Sequence, residues 1–229
     1  MFNAIAPTYE LVNTLFSGGR DAAWRRKAVE LAHVTPEDDV LDVACGTGDF
    51  ARAFSLARPR SVTGSDFAHD MLRRALGRSP AVGRAVGIVR SPTIRWSEAD
   101  ALRLPFADGS FSIVSCAFGV RNFADLDVGL CEMHRVLRVG GRAVILEFTR
   151  PTNRLFRALY ETYCHRLMPL AASWISRDKT GAYRYLPRSV VSFLNARQMS
   201  ERLRGVGFAV ACAVPRTFGV VTIYVAEKN

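Results

Sequence analysis

Three carboxylates in this sequence, Asp42, Asp66 and Asp100, stand at the ends of apolar runs where they could grip a polar ligand. The first belongs to the segment Asp38-Asp-Val-Leu-Asp-Val-Ala-Cys-Gly-Thr-Gly48. An apolar strand runs into Asp42, a turn carries Gly46, Thr47 and Gly48, and an amphipathic run from Asp49 to Leu56 follows. Strand, glycine turn and helix in that order bring bare backbone close to a ligand at a helix N-terminus. The dinucleotide fingerprint spaces its glycines as G-x-G-x-x-G, whereas this run is D-x-x-x-G-x-G with Ala51 near the third glycine position. A tight turn that binds nothing would leave the same glycines.

An acid four residues before the first glycine suits a ligand with an amine or cation to hold, rather than a pyrophosphate. S-adenosylmethionine (AdoMet) carries such an ammonium on its methionine moiety. Asp66 follows at the end of the next strand, where a carboxylate can accept both vicinal hydroxyls of a ribose. Asp100 ends the third strand, suited to accept from an adenine amino group, with the Ala101 N–H available to a ring nitrogen. Each Asp alone could instead cap the helix that follows it. Together, in this order, they describe an adenosyl ligand.

The elements that must position these residues alternate between strand and helix periods, which predicts a doubly wound sheet. Helix patterns cover Arg20–His33, His69–Leu76, Leu126–Leu137 and Ala196–Arg204. Strand patterns cover Val40–Ala44, Ser61–Ser65, Thr93–Glu98, Ile113–Phe118 and Ala143–Phe148, with Phe208–Val214 and Phe218–Ala226 as a closing antiparallel pair. Val139-Gly140-Gly141 reads as the C-cap of the third of these helices. Residues 77–93 read as a loop, and residues 151–190 as an insertion that is helical over 153–167. The expectation is one domain over residues 1–229, with an N-terminal cap at 1–19 and an inserted lid at 151–190.

Composition excludes several classes. The chain has 229 residues, 49% hydrophobic and 23% charged, which suits a globular protein with a full core. No apolar stretch is long enough to span a bilayer, and the N-terminus lacks the pattern of a secretory signal. Five scattered cysteines and four lone histidines form neither a disulfide framework nor a metal site. A protein of the reducing cytoplasm without a metal is therefore expected. The net charge is +10, and between Arg150 and Arg188 eight basic residues face only Glu161 and Asp178, interleaved with apolar and aromatic residues. That segment suits the surface of an anionic membrane, though a solvated basic face would look the same. Nucleic-acid motifs are absent, so no nucleic-acid partner is expected.

The motifs Leu41-Asp-Val-Ala-Cys-Gly-Thr-Gly-Asp49, Asp66-Phe-(x)3-Met71-Leu72, Ala99-Asp-Ala101 with Leu104-Pro-Phe106, and Ala117-Phe-Gly-Val-Arg-Asn122 resemble class I AdoMet-dependent methyltransferases. More narrowly, they are similar to the ubiquinone/menaquinone biosynthesis C-methyltransferases. Glu132-Met-x-Arg-Val-Leu-x-x-Gly-Gly141, Leu146-Glu-Phe148 and Tyr185-Leu-Pro-x-Ser189 extend the likeness, as does the opening Met1-Phe-x-x-Ile-Ala-Pro-x-Tyr9. The resemblance implies a Rossmann-like α/β fold: a mostly parallel seven-stranded sheet with an antiparallel C-terminal hairpin and helices on both faces. It implies contacts to AdoMet from Thr47, Asp66, Asp100, Ala101 and Ala117, beside Asp42, Gly46 and Gly48.

The implied reaction is C-methylation of the ring of a prenylated quinol, either demethylmenaquinol to menaquinol or the equivalent benzoquinol step of ubiquinone biosynthesis. The competing enzyme reading is C- or O-methylation of another aromatic or lipid small molecule. An AdoMet-binding accessory subunit without turnover is a third. Arg121 is the candidate to stabilise a developing phenolate, with Asn122 orienting it or holding a water that accepts the proton. Arg121 could instead pair with Asp125 or Asp127, and Glu147, at the end of the fifth strand, could face substrate or be a core-edge carboxylate hydrogen-bonded to backbone. Tyr9 and Tyr185 are candidates to line the substrate pocket. A prenyl tail places the substrate in the bilayer, so peripheral contact with the inner face of the membrane is expected, and a homodimer is compatible with the sequence.

Overall fold

The structure, a computed structural model, describes residues 17–78, 93–151 and 193–229. The first part holds α1 (Asp21–Leu31), β1 (Asp39–Val43), α2 (Asp49–Leu56), β2 (Ser61–Asp66), α3 (His69–Gly77) and β3 (Ile94–Glu98). Then come β4 (Phe111–Ala117), a short 3-10 turn at Val120–Asn122, α4 (Leu126–Val136) and β5 (Leu137–Phe148). The chain closes with α5 (Ala196–Gly205), β6 (Phe208–Arg216) and β7 (Val221–Lys228).

Seven strands form one sheet in the order β3-β2-β1-β4-β5-β7-β6. The first five are parallel, and β7 runs antiparallel between β5 and β6. This is the expected sheet, with its C-terminal hairpin. The strand order reverses between β1 and β4, and such a reversal leaves a crevice beyond the carboxyl ends of the two strands.

Alternating side chains send the central strands into two apolar layers. Val40, Val62, Ile113, Val144 and Leu146 pack beneath Trp24 and Ala28 of α1 and Phe50 and Phe54 of α2. Leu41, Val43, Val114 and Ile145 pack on the other face beneath Leu130 and Met133 of α4 and Met199 and Leu203 of α5. Burial on both faces is why these strands read as continuous apolar runs. Among the described residues, no helix is long and apolar enough to cross a membrane.

One expectation fails here. Gly140 and Gly141 do not cap a helix: α4 ends at Val136, Leu137 is already extended, and β5 starts at once. Leu137 is fully buried and pairs with Phe111 of β4, so the ladder claims the chain before a cap can form. The pairing then shifts register between Phe111 and Ile113. Gly141 sits at the crowded part of that irregularity. A Cβ there would lie 2.8 Å from the Arg138 carbonyl oxygen and 2.9 Å from that of Ser112. The segments expected as N-terminal cap, as loop 77–93 and as lid 151–190 lie mostly or wholly outside the described residues.

Because two of the three obstructing atoms are backbone, the third being Leu137 Cδ1 at 2.9 Å, Gly141→Ala is expected to destabilise the protein by about 1–3 kcal/mol. Urea denaturation measures this, and a loss below about 0.5 kcal/mol would contradict the crowding.

Candidate active site

The reversal of strand order between β1 and β4 is filled by a cavity of about 360 Å³, within the size range of small-molecule sites. Gly46, Asp66, Asp100, Ala101 and Asn122 supply polar wall, and Phe67, Met71, Leu102, Phe118 and Phe123 supply apolar wall. A smaller polar recess of about 20 Å³ shares Ala44, Gly46 and Phe118 with it. Arg25, Asp42, Thr47 and Ala117 line that recess.

Two sharp exits from the sheet create these spaces. Ala44 after β1 and Phe118 after β4 both take left-handed backbone angles, with φ of 52° and 58°. That conformation costs a non-glycine residue about 1–2 kcal/mol. Burial of Phe118 against Phe148 and Trp24, with ring centroids 4.7 and 6.3 Å away, helps hold its turn. Gly48, at φ 84°, starts α2 beneath Trp96, whose ring would stand 2.2 Å from a Cβ at that position. Gly48 therefore shapes the turn and lines neither space, whereas Gly46 and Thr47 reach the ligand side.

The carboxylates differ in what they leave available. Asp66 accepts from the amides of Gly46 at 2.7 Å and Ala68 at 2.8 Å, one to each oxygen. Each oxygen keeps a second lone pair, enough for two ribose hydroxyls. Burial pushes its carboxyl above the usual range. Asp42 has no solvent exposure. Its Oδ1 accepts from the Ser115 hydroxyl at 2.8 Å, while Oδ2 has no hydrogen-bond partner among the described residues. Burial pushes the Asp42 carboxyl up to about 7, against opposing pulls from Ser115, the Ala51 amide and the Arg25 charge. A buried oxygen without a donor, beside a glycine turn, fits the ammonium of AdoMet.

Asp100 and Ala101 occupy the far wall. The Asp100 side chain accepts from the Leu102 amide at 2.9 Å, which folds the segment back toward the cavity. Glu132 and Arg135 of α4 brace the same segment. The Leu104 amide donates to Glu132 at 2.7 Å, and Arg135 donates to the carbonyls of Phe106 at 2.8 Å and Leu104 at 3.0 Å. The Glu-Met-x-Arg motif thus acts from beneath the wall that carries Asp100.

Asn122 lines the cavity, and Arg121 does not. The Arg121 guanidinium turns inward, 2.7 Å from Glu147 and 2.6 Å from the Phe118 carbonyl. The two charged side chains are 1% and 0% exposed. Burial pushes the Glu147 carboxyl up, and the nearby guanidinium offsets part of that rise. Neither Asp125 nor Asp127 is the partner of Arg121 in this ion pair: Asp125 caps α4 through the Val128 amide, and Asp127 pairs with Arg202. Tyr9 and Tyr185 lie outside the described residues. Sequence reasoning passed over Phe67, 76% exposed on the cavity wall. Its signal was a large apolar residue directly after a strand-terminal Asp. It also passed over Arg25, whose place in a helix beside Trp24 offered no sign of the recess.

The sequence and the fold both have known relatives. The model of the ubiE/COQ5 methyltransferase family matches residues 1–228. The chain is 43% identical to the demethylmenaquinone methyltransferase of Thermus thermophilus, with both chains covered completely. It is 42% identical to the ubiquinone/menaquinone biosynthesis C-methyltransferase UbiE of Geobacter sulfurreducens, covering 100% of this chain and 87% of that one. Among solved structures, a SAM-dependent methyltransferase from Aquifex aeolicus has a TM-score of 0.67 at 13% identity, covering 96% and 98% of the two chains. The Haloferax volcanii complex of a methyltransferase with its Trm112 activator gives 0.68 at 19% identity, covering 99% of this chain and 97% of the matched chain. These last two establish the fold alone.

The raised Asp42 carboxyl has a consequence for the ligand-free protein. Unfolded, the group ionises near its ordinary ~3.9; folded, it keeps its proton to about 7. The unfolded chain therefore binds fewer protons between these values, and the contribution of Asp42 to stability declines as pH rises through that window. Asp42→Asn should remove this slope, so that the variant gains stability relative to wild type between about pH 4 and 7. Chemical denaturation across that range checks it; parallel profiles would show that Asp42 does not titrate there.

Proposed function

The chain belongs to the ubiE/COQ5 methyltransferase family, and from that premise we propose that it methylates a ring carbon of a prenylated quinol using AdoMet. The substrate is of the demethylmenaquinol type or its benzoquinol equivalent. The observation that carries this reading is a single cavity that unites Asp66, Asp100, Ala101 and Asn122 with an apolar wall. Polar groups for an adenosyl ligand and an apolar bed for a ring meet where the strand order reverses.

Bound AdoMet supplies an electrophilic methyl group. Asp66 holds the ribose hydroxyls, Asp100 and Ala101 the adenine edge, and Asp42 the ammonium. Phe67, Met71 and Phe123 exclude water and leave room for a flat ring between the adenosyl site and Asn122. A quinol carbon becomes a good nucleophile once the adjacent hydroxyl loses its proton. A phenol ionises near ~10, so the step needs help at neutral pH. Asn122 faces the cavity and can donate to the developing phenolate or orient a water that takes its proton. Arg121 acts from behind that wall. Its bonds to Glu147 and the Phe118 carbonyl set the turn that presents Asn122.

A prenylated substrate stays in the bilayer, so the enzyme has to meet a membrane surface. The basic, apolar stretch from Arg150 to Arg188, within the lid proposed for residues 151–190, supports that contact by composition. Tyr9, from the cap at 1–19, and Tyr185, from the lid, would then line the ring pocket.

The direct test supplies methyl-labelled AdoMet and demethylmenaquinol, or the benzoquinol, in anionic vesicles. Mass spectrometry should place the label on a ring carbon; an O-methylated product, or none, would overturn the proposal. Asn122→Ala should lower kcat by roughly 10²-fold while leaving AdoMet affinity unchanged. Equal loss of affinity and turnover would remove Asn122 from the chemical step.

A further inference from the structure

The polar recess behind the glycine turn contains a cation that the mechanism above leaves unemployed. Arg25 comes from α1, is 8% exposed, and lines the recess with Asp42, Thr47 and Ala117. Its Nη1 donates to Asp21, and its Nη2 lies 3.9 Å from Asp49. Its Nε is buried with no hydrogen-bond partner among the described residues. The guanidinium sits 5.7 Å from the centroid of Phe118, which forms part of the wall of both the recess and the main cavity.

Buried donors and acceptors normally find partners, and here one of each kind is left over around a single small space. The dry Arg25 Nε–H is a donor, and the Asp42 Oδ2 is an acceptor. Their charges interact, since Arg25 opposes the rise of the Asp42 carboxyl. A cation and an anion presented side by side complement an amino-acid head group, which carries a carboxylate and an ammonium on one carbon. The recess is small, about 20 Å³, and shares Ala44, Gly46 and Phe118 with the main cavity, so it takes the carboxylate end of a ligand whose remainder lies in that cavity. A salt bridge to Asp21 alone would account for Nη1 and leave the aim of Nε unexplained.

We propose that Arg25 binds the carboxylate of the methionine moiety of AdoMet, with Asp42 facing the ammonium on the same carbon. The proposal rests on the AdoMet reading above and adds a residue to it. Arg25 recognises only the carboxylate, so the informative ligand is decarboxylated AdoMet, which retains the adenosine, the sulfonium and the amine.

Isothermal titration of the full chain with the two ligands tests this. Wild type should bind decarboxylated AdoMet about tenfold or more weakly than AdoMet, as expected for losing a charge-assisted hydrogen bond. Arg25→Gln should weaken AdoMet by a similar factor and shift decarboxylated AdoMet by no more than about twofold. Arg25→Lys, which keeps the charge, should recover part of the preference. A purely structural Arg25 would weaken both ligands equally in Arg25→Gln, and that result overturns the assignment. Equal affinity of wild type for both ligands overturns it without any variant. A wild type that binds neither ligand overturns the AdoMet reading itself.

Discussion

Asp42 stands at the end of the central strand with no solvent exposure, bonded through one oxygen to Ser115 and through the other to nothing among the described residues. An anion in that position is costly, and the protein answers by raising its proton affinity rather than by giving it a full set of donors. The rest of the site follows from this one desolvated group. The strand must stop there, because a carboxylate deeper in the sheet would have no space to face. The chain must then turn sharply, which it does through Ala44 and the glycine turn. The neighbouring strand β4 runs two residues past Ser115, the partner of Asp42, so that Ala117 and Phe118 close the other side.

Around that constraint, the positions of the ligand-facing groups are held by bonds made one step further back. Glu132 and Arg135 grip the backbone of Leu104 and Phe106, and so set the segment that carries Asp100. Arg121 and Glu147 do the same for the turn that presents Asn122. The buried Arg121–Glu147 pair contributes little net stability, because desolvation cancels most of the attraction, and the Glu132–Arg135 pair is partly exposed. Their bonds are directional, and direction is what a site needs when its walls are loops.

The alternation of strands and helices was legible because each central strand is apolar on both faces and each helix has one apolar stripe. The helix Asp49–Leu56 was expected and found with the same ends. The pair Gly140-Gly141 was misread because two glycines after an amphipathic helix look alike whether they cap it or relieve crowding in a strand. The buried contact of Leu137 with β4, more than twenty residues distant in sequence, decided the matter. Asp66 and Asp100 were legible as rim residues because chain topology brings strand ends to one edge of the sheet, and they line one cavity; Asn122, five residues beyond β4, was legible only through the family motif. Arg121 was legible as a charged residue in a family motif, yet its inward direction depends on Glu147, a partner on another strand.

What the sequence determined by itself was the order of elements and the chemical type of the groups at the rim. Both are local properties, written in periodicity and in the residues that terminate each strand. Tertiary structure alone decided which of those groups face a ligand and which face one another. Arg25 and Arg121 illustrate the division: both are arginines whose direction no neighbouring residue in the sequence reveals. Arg25 lines the polar recess while pairing with Asp21, and Arg121 is held in an ion pair with Glu147 behind the wall. The difference arises because burial and partnership belong to the packing of distant segments, which no short stretch of sequence contains.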